Sequence, residues 1–292
     1  MTGHDVELRG LSVSYGRTRA VKDVHLRIAA NTITGLLGRN GSGKTTMLSA
    51  IASLLRPTHG QVLVGGRDPY EDAQLMESVC LIRESGDVLA DEKVRVTLDF
   101  VGDVRPNWDR SYAERLLDAF HVDLEKSPRK LSRGQRSAVG ASIGLAARAP
   151  VTMFDEVYLG MDAPSRRKFY DFLLADYVEH PRTIVLSSHL ISEVESLFEN
   201  VFVLDDGVAI LDTDADTART QGATITGPAA QVAAAVAGMH VLSERALGPT
   251  RQVTVLGAPE PATVAELRAA GLGVGAVPIQ ELFIALTERE EA

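Results

Sequence analysis

The stretch 32–55 constrains this chain more than any other. The short apolar run Thr32-Ile33-Thr34-Gly35-Leu36-Leu37 enters the turn Gly38-Arg39-Asn40-Gly41-Ser42-Gly43, and an apolar-periodic segment 44–55 follows at once. The run predicts a strand and the period predicts a helix, stopped by Pro57 and Gly60. The same alternation continues along the chain. Strands fit at 6–13, 25–28, 61–64, 79–82, 151–154, 183–187, 201–204 and 208–211, and helices at 112–120, 133–148, 164–178 and 190–198. The expected fold is α/β: a mostly parallel core sheet covered on both faces, an antiparallel β subdomain, and a helical insert over about 83–148.

At 292 residues the chain has room for about two domains. The polar run Asp212-Thr213-Asp214-Ala215-Asp216-Thr217 marks a boundary, which predicts a first domain at 1–212, a linker at 213–222 and a second domain at 223–292. In that second domain, strands at 224–225, 240–243, 252–256 and 274–277 interleave with helices at 229–237 and 263–270. The order β-α-β-β-α-β is that of a small ferredoxin-like α+β domain, followed by an amphipathic helix at 279–287.

The net charge of −9 argues against nucleic acid as a partner. The one cysteine, in Val79-Cys80-Leu81-Ile82, lies in a buried-strand pattern and reads as an inert core thiol. The start, Met1 to Glu7, has neither the basic nor the apolar region of a secretory signal. No segment reaches the roughly 20 apolar residues that span a bilayer; the best, 138–154, is broken by Arg148 and Pro150. Any membrane role therefore requires a partner.

A strand, a glycine-rich turn and a helix start aim several backbone N–H groups at one spot beside the positive end of the helix dipole, which makes an anion site. Gly38, Gly41 and Gly43 allow the wrap, and Arg39, Asn40, Ser42 and Thr46 complete the lining. Lys44 is placed to reach the β- and γ-phosphates of a nucleotide, and the Thr45 hydroxyl to hold Mg²⁺. Asp155 and Glu156 close an apolar strand expected at the same sheet edge. There an aspartate can ligate Mg²⁺ and the glutamate can polarise an attacking water.

Together with Leu131-Ser132-Arg133-Gly134-Gln135, ahead of Asp155-Glu156, these elements resemble the ATP-binding cassette family, the ATPase subunits of ABC transporters, over residues 5–212. The resemblance implies that Ser132, Gly134 and Gln135 belong to the signature that caps the γ-phosphate held by a second subunit. It implies that Tyr15 stacks on adenine, that Asp162 contacts the opposite subunit, and that His189 contacts the γ-phosphate and the attacking water. Two departures stand out. Glu84 occupies the place of a glutamine that touches Mg²⁺ in the family, and Arg133 replaces a glycine of the signature; Arg83 or Arg133 is available to balance the extra negative charge.

By that resemblance the expected protein is a bacterial, exporter- or drug-resistance-like ATPase subunit using ATP and Mg²⁺. Its expected partners are a second cassette, identical or related, and a separate integral membrane subunit that holds it on the inner face of the membrane. The alternative is a soluble ATPase of the same superfamily acting on DNA or ribosomes. Against it stand the lack of a coiled-coil insertion between Glu84 and Leu131, the single cassette, and the acidic charge.

Overall fold

The computed structural model describes residues 3–84 and 88–287. The outermost residues of the two expected domains, 1–2 and 288–292, and residues 85–87 of the helical insert lie outside the described residues.

β1 (Val6–Tyr15) and β2 (Thr18–Ile28) form an antiparallel hairpin with Val6 opposite Ile28, Leu8 opposite Leu26 and Tyr15 opposite Thr18. β2 is longer than the alternation at 25–28 predicts. Register shifts along the pair, and Asp23 at a positive φ of 54°, interrupt the period of two in its first half. β3 (Ile33–Leu37) is buried throughout and leads through the glycine turn into α1 (Lys44–Ile51). The helix ends at Ile51 and not near residue 55 because Ser53 takes φ 54°. The Ser53 and Leu54 amides then fold back onto the carbonyls of Ala50 and Ser49, a left-handed helix stop without glycine. β4 (His59–Val64) adds to β1 and completes a three-stranded antiparallel sheet in the order β2-β1-β4.

α2 (Ala73–Met76) precedes β5 (Val79–Arg83), and the helical insert follows as α3 (Val94–Val104), α4 (Arg110–Ala119) and α5 (Arg133–Ala147). The chain returns to the sheet with β6 (Val151–Asp155), crosses by α6 (Ala163–Glu179) to β7 (Thr183–Ser188), and continues as α7 (Ile191–Val194), β8 (Asn200–Asp205) and β9 (Val208–Asp214). The order of this sheet is β5-β6-β7-β3-β8-β9. β5, β6, β7 and β3 run parallel, with Arg83 opposite Asp155, Asp155 opposite Ser187 and Leu37 opposite Ser188. Their C-terminal ends are therefore level, so that Glu84, Glu156, His189 and Gly38 leave the sheet along one edge. That edge is where parallel α/β sheets place their ligands.

The polar run near residue 215 forms the end of β9 and a short helix, α8 (Ala215–Arg219), whose first amides are capped by Asp214 accepting from Thr217 N at 2.7 Å. β10 (Gly222–Pro228), α9 (Ala229–Ala235), β11 (His240–Leu247), β12 (Thr250–Leu256), α10 (Pro261–Ala269) and β13 (Gly273–Ala276) follow, then α11 (Ile279–Thr287). The sheet order β11-β12-β10-β13, antiparallel at every pair, is the split βαβ arrangement, with Ile225, Val232, Val253, Val255 and Leu272 in its core. By packing, the chain divides into one unit of Met1–His189 with Leu204–Ala209 and another of Leu190–Val203 with Ile210–Ala292.

The first unit buries an ion pair. Asp176 on α6 and Arg182 before β7 are each 2% exposed and lie 2.7 Å apart. The other Arg182 donors reach the carbonyls of His180 and Leu145 and the Thr152 hydroxyl, and Arg148 adds a second cation 3.4 Å from Asp176. Removing one partner of a desolvated pair strands the other charge. Asp176→Ala is expected to lower the unfolding free energy by about 3–5 kcal/mol, read as a fall in the urea midpoint at constant slope; a change below about 1 kcal/mol would be that of an exposed pair.

Candidate active site

The glycine turn is held from three sides. Gly43, the residue capping α1, has φ 106°, and a Cβ there would collide with the Ala20 carbonyl, so only glycine fits. The Ser42 amide bonds the Arg39 carbonyl at 3.1 Å, and the Ser42 carbonyl accepts from Gly207 N at 2.9 Å. Lys44 is 5% exposed, and its Nζ donates back to the carbonyls of Gly38 at 2.7 Å and Arg39 at 3.1 Å. The turn thus curls around its own ammonium, while Arg39, Asn40 and Gly41 stay exposed, Ser42 is buried and Thr46 is half-buried. The first amides of α1, which have no acceptor within the helix, open on this turn.

Asp155 and Glu156 approach the turn from the end of β6. The Thr45 hydroxyl donates to Asp155 Oδ2 at 2.6 Å. Asp155 is buried, and its second oxygen, Oδ1, makes no hydrogen bond of good geometry; the Ser187 hydroxyl, likewise without one, lies close enough to favour the charged carboxylate. Burial pushes the Asp155 carboxyl above its ordinary pKa and the Glu156 charge adds to this, while the Thr45 and Ser187 hydroxyls and the Lys44 charge pull the other way. Glu156 takes φ 50°, which is rare outside glycine, and its amide bonds Ser187 O at 3.3 Å. That turn aims its carboxylate between two partners, with Oε1 3.4 Å from Lys44 Nζ and Oε2 3.5 Å from His189 Nδ1.

A hydroxyl and a buried carboxylate oxygen with no hydrogen bond of good geometry are hard oxygen donors of the kind Mg²⁺ takes, with water and phosphate oxygens completing the shell. Among the described residues there is no cluster of three or more His, Cys, Asp or Glu side chains that could hold a metal by itself. The donor set therefore fits a cation that arrives with a phosphate ligand. Glu84 sits one residue beyond the end of β5, and its carboxylate pairs with the Arg133 guanidinium.

The remaining expected site residues lie apart from this cluster. Tyr15, at the tip of the β1–β2 hairpin, is 57% exposed, with its ring available to a flat ligand. Ser132 and Gln135 cap α5 reciprocally, Ser132 Oγ accepting from Gln135 N at 3.1 Å and Gln135 Oε1 from Ser132 N at 3.2 Å. Asp162 caps α6 by accepting from Ser165 N at 2.9 Å. Gly134 faces Gly160 closely, with the Ser137 hydroxyl packed against Gly160 as well. A Cβ on Gly134 would lie 2.9 Å from Gly160 O, and one on Gly160 would lie 2.7 Å from Arg133 O. Sequence reasoning missed Gly160 and Tyr158 here, because a turn glycine and a buried aromatic carry no pattern of their own.

Loop, cation, paired acids and histidine at the level ends of parallel strands define a P-loop nucleotide-hydrolase cassette. Comparison with known proteins agrees. The ABC transporter family profile matches residues 21–158. The aliphatic sulfonates import ATP-binding protein SsuB of Pseudomonas putida is 30% identical over 223 residues, 75% of this chain and 80% of that protein. The ABC transporter ATP-binding protein YtrB of Bacillus subtilis is 28% identical over 201 residues, 69% of each. Other bacterial relatives are matched over 43% and 42% of their own length. A dimeric ATP-binding cassette solved in a post-hydrolysis state with ADP and Pi shares the fold, at TM-score 0.64 and 21% identity over 72% of this chain and 98% of that one. The chain belongs to the ABC transporter family, as an ATP-binding subunit.

The raised Asp155 carboxyl gives a signed expectation. The native state holds this proton more tightly than the unfolded chain, so stability falls as pH rises from the ordinary carboxylate value through the native one, and stays lowered above it. In metal-free buffer near neutral pH, Asp155→Asn is therefore expected to raise the thermal midpoint, the gain shrinking as pH falls through the raised native value and gone below about 4. An unchanged midpoint at neutral pH would contradict a desolvated charge at this position.

Proposed function

We propose that this chain powers transport through a separate membrane subunit, with the cluster around Lys44 as the hydrolytic site. The observation that carries the reading is the convergence of Thr45, Lys44, Asp155, Glu156 and His189, from three separate chain segments, within contacts of 2.6 to 3.5 Å. Phosphoryl transfer asks a protein mainly for positioning and charge stabilisation, and each of these groups supplies one of them. The backbone of Gly38 to Thr46 binds the phosphates, and Lys44 exchanges its loop carbonyls for β- and γ-phosphate oxygens. Tyr15 stacks on the adenine. Glu156 accepts the proton of the attacking water while His189 orients that water and the γ-phosphate. Thr45 and Asp155, joined by Glu84 once released from Arg133, would hold Mg²⁺, which neutralises charge on the phosphates.

Ser132, Gly134, Gln135 and Asp162 have no role in their own subunit's phosphate cluster; the first three open α5 at a helix start of the kind that binds anions, and Asp162 caps α6. They serve the nucleotide of a second cassette placed head-to-tail. One chain carries both halves of such a site, so two copies suffice, as in the homologous fold solved as a dimer. Among the described residues no helix is long and apolar enough to cross a membrane, so the membrane path belongs to another chain. One cassette of the same fold is described as part of the ABC transporter complex cbiONQ, which supports that division of labour. The C-terminal split βαβ unit resembles the extensions of bacterial exporter cassettes, the ground for reading the direction as export, whereas the relatives named for methionine and aliphatic sulfonates are import proteins.

Glu156→Gln keeps the shape of the side chain and removes its basicity. Steady-state ATP hydrolysis is expected to fall by about 10²–10⁴-fold, with ATP still bound and the dimer accumulating in size-exclusion chromatography. Undiminished turnover in that variant would overturn the assignment of the base.

A further inference from the structure

We propose that the Tyr158 hydroxyl is a positioning group for hydrolysis, holding His189 at a fixed distance from Glu156; this rests on the roles given to Glu156 and His189 above. Tyr158 lies two residues after Glu156 in the turn that leaves β6, and it is 3% exposed. Its hydroxyl donates to Ser188 Oγ at 2.9 Å and accepts the His189 backbone N–H at 3.1 Å. Its ring centroid is 6.3 Å from the His189 imidazole and 6.3 Å from the Tyr170 ring, so the phenol cannot swing without disturbing both.

These contacts close a circuit of three links. Glu156 is tied to Tyr158 by two peptide units, which the Leu159 amide tightens by bonding Glu156 O at 3.1 Å. Tyr158 is tied to His189 by the hydrogen bond to its backbone. His189 returns to Glu156 through the 3.5 Å contact between Nδ1 and Oε2. Without the phenol the histidine depends on the end of β7 alone, beyond which the chain leaves the sheet. The Tyr158 hydroxyl is engaged by Ser188 and the His189 amide, so it acts through His189. The two hydrogen bonds fall on consecutive residues at the end of β7, Ser188 and His189, so the phenol fixes the backbone from which the imidazole projects.

The test is a double-mutant cycle in the full-length protein with saturating ATP and Mg²⁺. Tyr158→Phe keeps the ring and removes both hydrogen bonds. It is expected to lower kcat about 10- to 100-fold, with KM for ATP changed less than about twofold. In a His189→Ala background the same substitution is expected to cost nothing further, since the group it positions is gone. Equal slowing with and without His189, or an unchanged kcat, overturns the proposal alone. Failure of the wild-type protein to hydrolyse ATP, or full activity in Glu156→Gln, overturns the reading of the site and the proposal with it. A second readout needs no variant: in the wild-type protein the His189 amide is expected to exchange slowly with deuterium, and exchange as fast as an open loop amide overturns the proposal even where Tyr158→Phe does not fold.

Discussion

One buried ammonium fixes how the two halves of the site face each other. Lys44 Nζ is bound by two carbonyls of its own loop and lies 3.4 Å from the Glu156 carboxylate. An ammonium at this depth is tolerated only with such partners. Its need for them draws the glycine turn closed on one side and the end of β6 in on the other. Thr45, the next residue, falls against Asp155 for the same reason. Phosphates entering the turn would offer Lys44 stronger acceptors than the carbonyls, so the contact that shapes the turn is also the one a nucleotide exchanges.

The level ends of the parallel strands are the second condition. A register slip of one residue between β6 and β7 would turn every side chain on one strand to the other face, separating Glu156 from His189. The buried pair of Asp176 and Arg182 stands at the other end of this strand pair, just before β7 begins, and Arg182 reaches the Thr152 hydroxyl on β6. The geometry of the candidate site at one end of the sheet therefore depends on charges satisfied at the opposite end.

The loop 38–45 and the acids 155 and 156 were legible in the sequence because their chemistry demands particular residue types at adjacent positions. The alternation of strands and helices carried the fold, and the order of elements after residue 222 carried the split βαβ sheet. What stayed hidden depends on backbone conformation or on partners far along the chain. The stop of α1 comes from a serine in a left-handed conformation, the early part of β2 from a register shift, and neither leaves a periodic trace. α3 is rich in β-branched residues, which disguise a helix whose buried positions Val94, Thr97 and Leu98 keep helical spacing. Arg133 and Glu84 were each visible as departures from the family pattern, and both stand as candidates for offsetting one another; their pairing across 49 positions becomes definite only in three dimensions. Tyr158 had no signal at all, since its importance lies in where its hydroxyl points.

The apposition of Gly134 and Gly160 has a mechanical consequence. Backbone lies against backbone there, and the Ser137 hydroxyl and the Arg133 stem fill the rest of the space a Cβ on Gly160 would need. The start of α5 and the turn that carries Glu156 are thus geared together, and neither slides without the other. If the cap of α5 swings to greet a neighbouring subunit, that motion would pass through this close contact to the turn carrying Glu156, the base proposed above, so that docking and firing would share one crank.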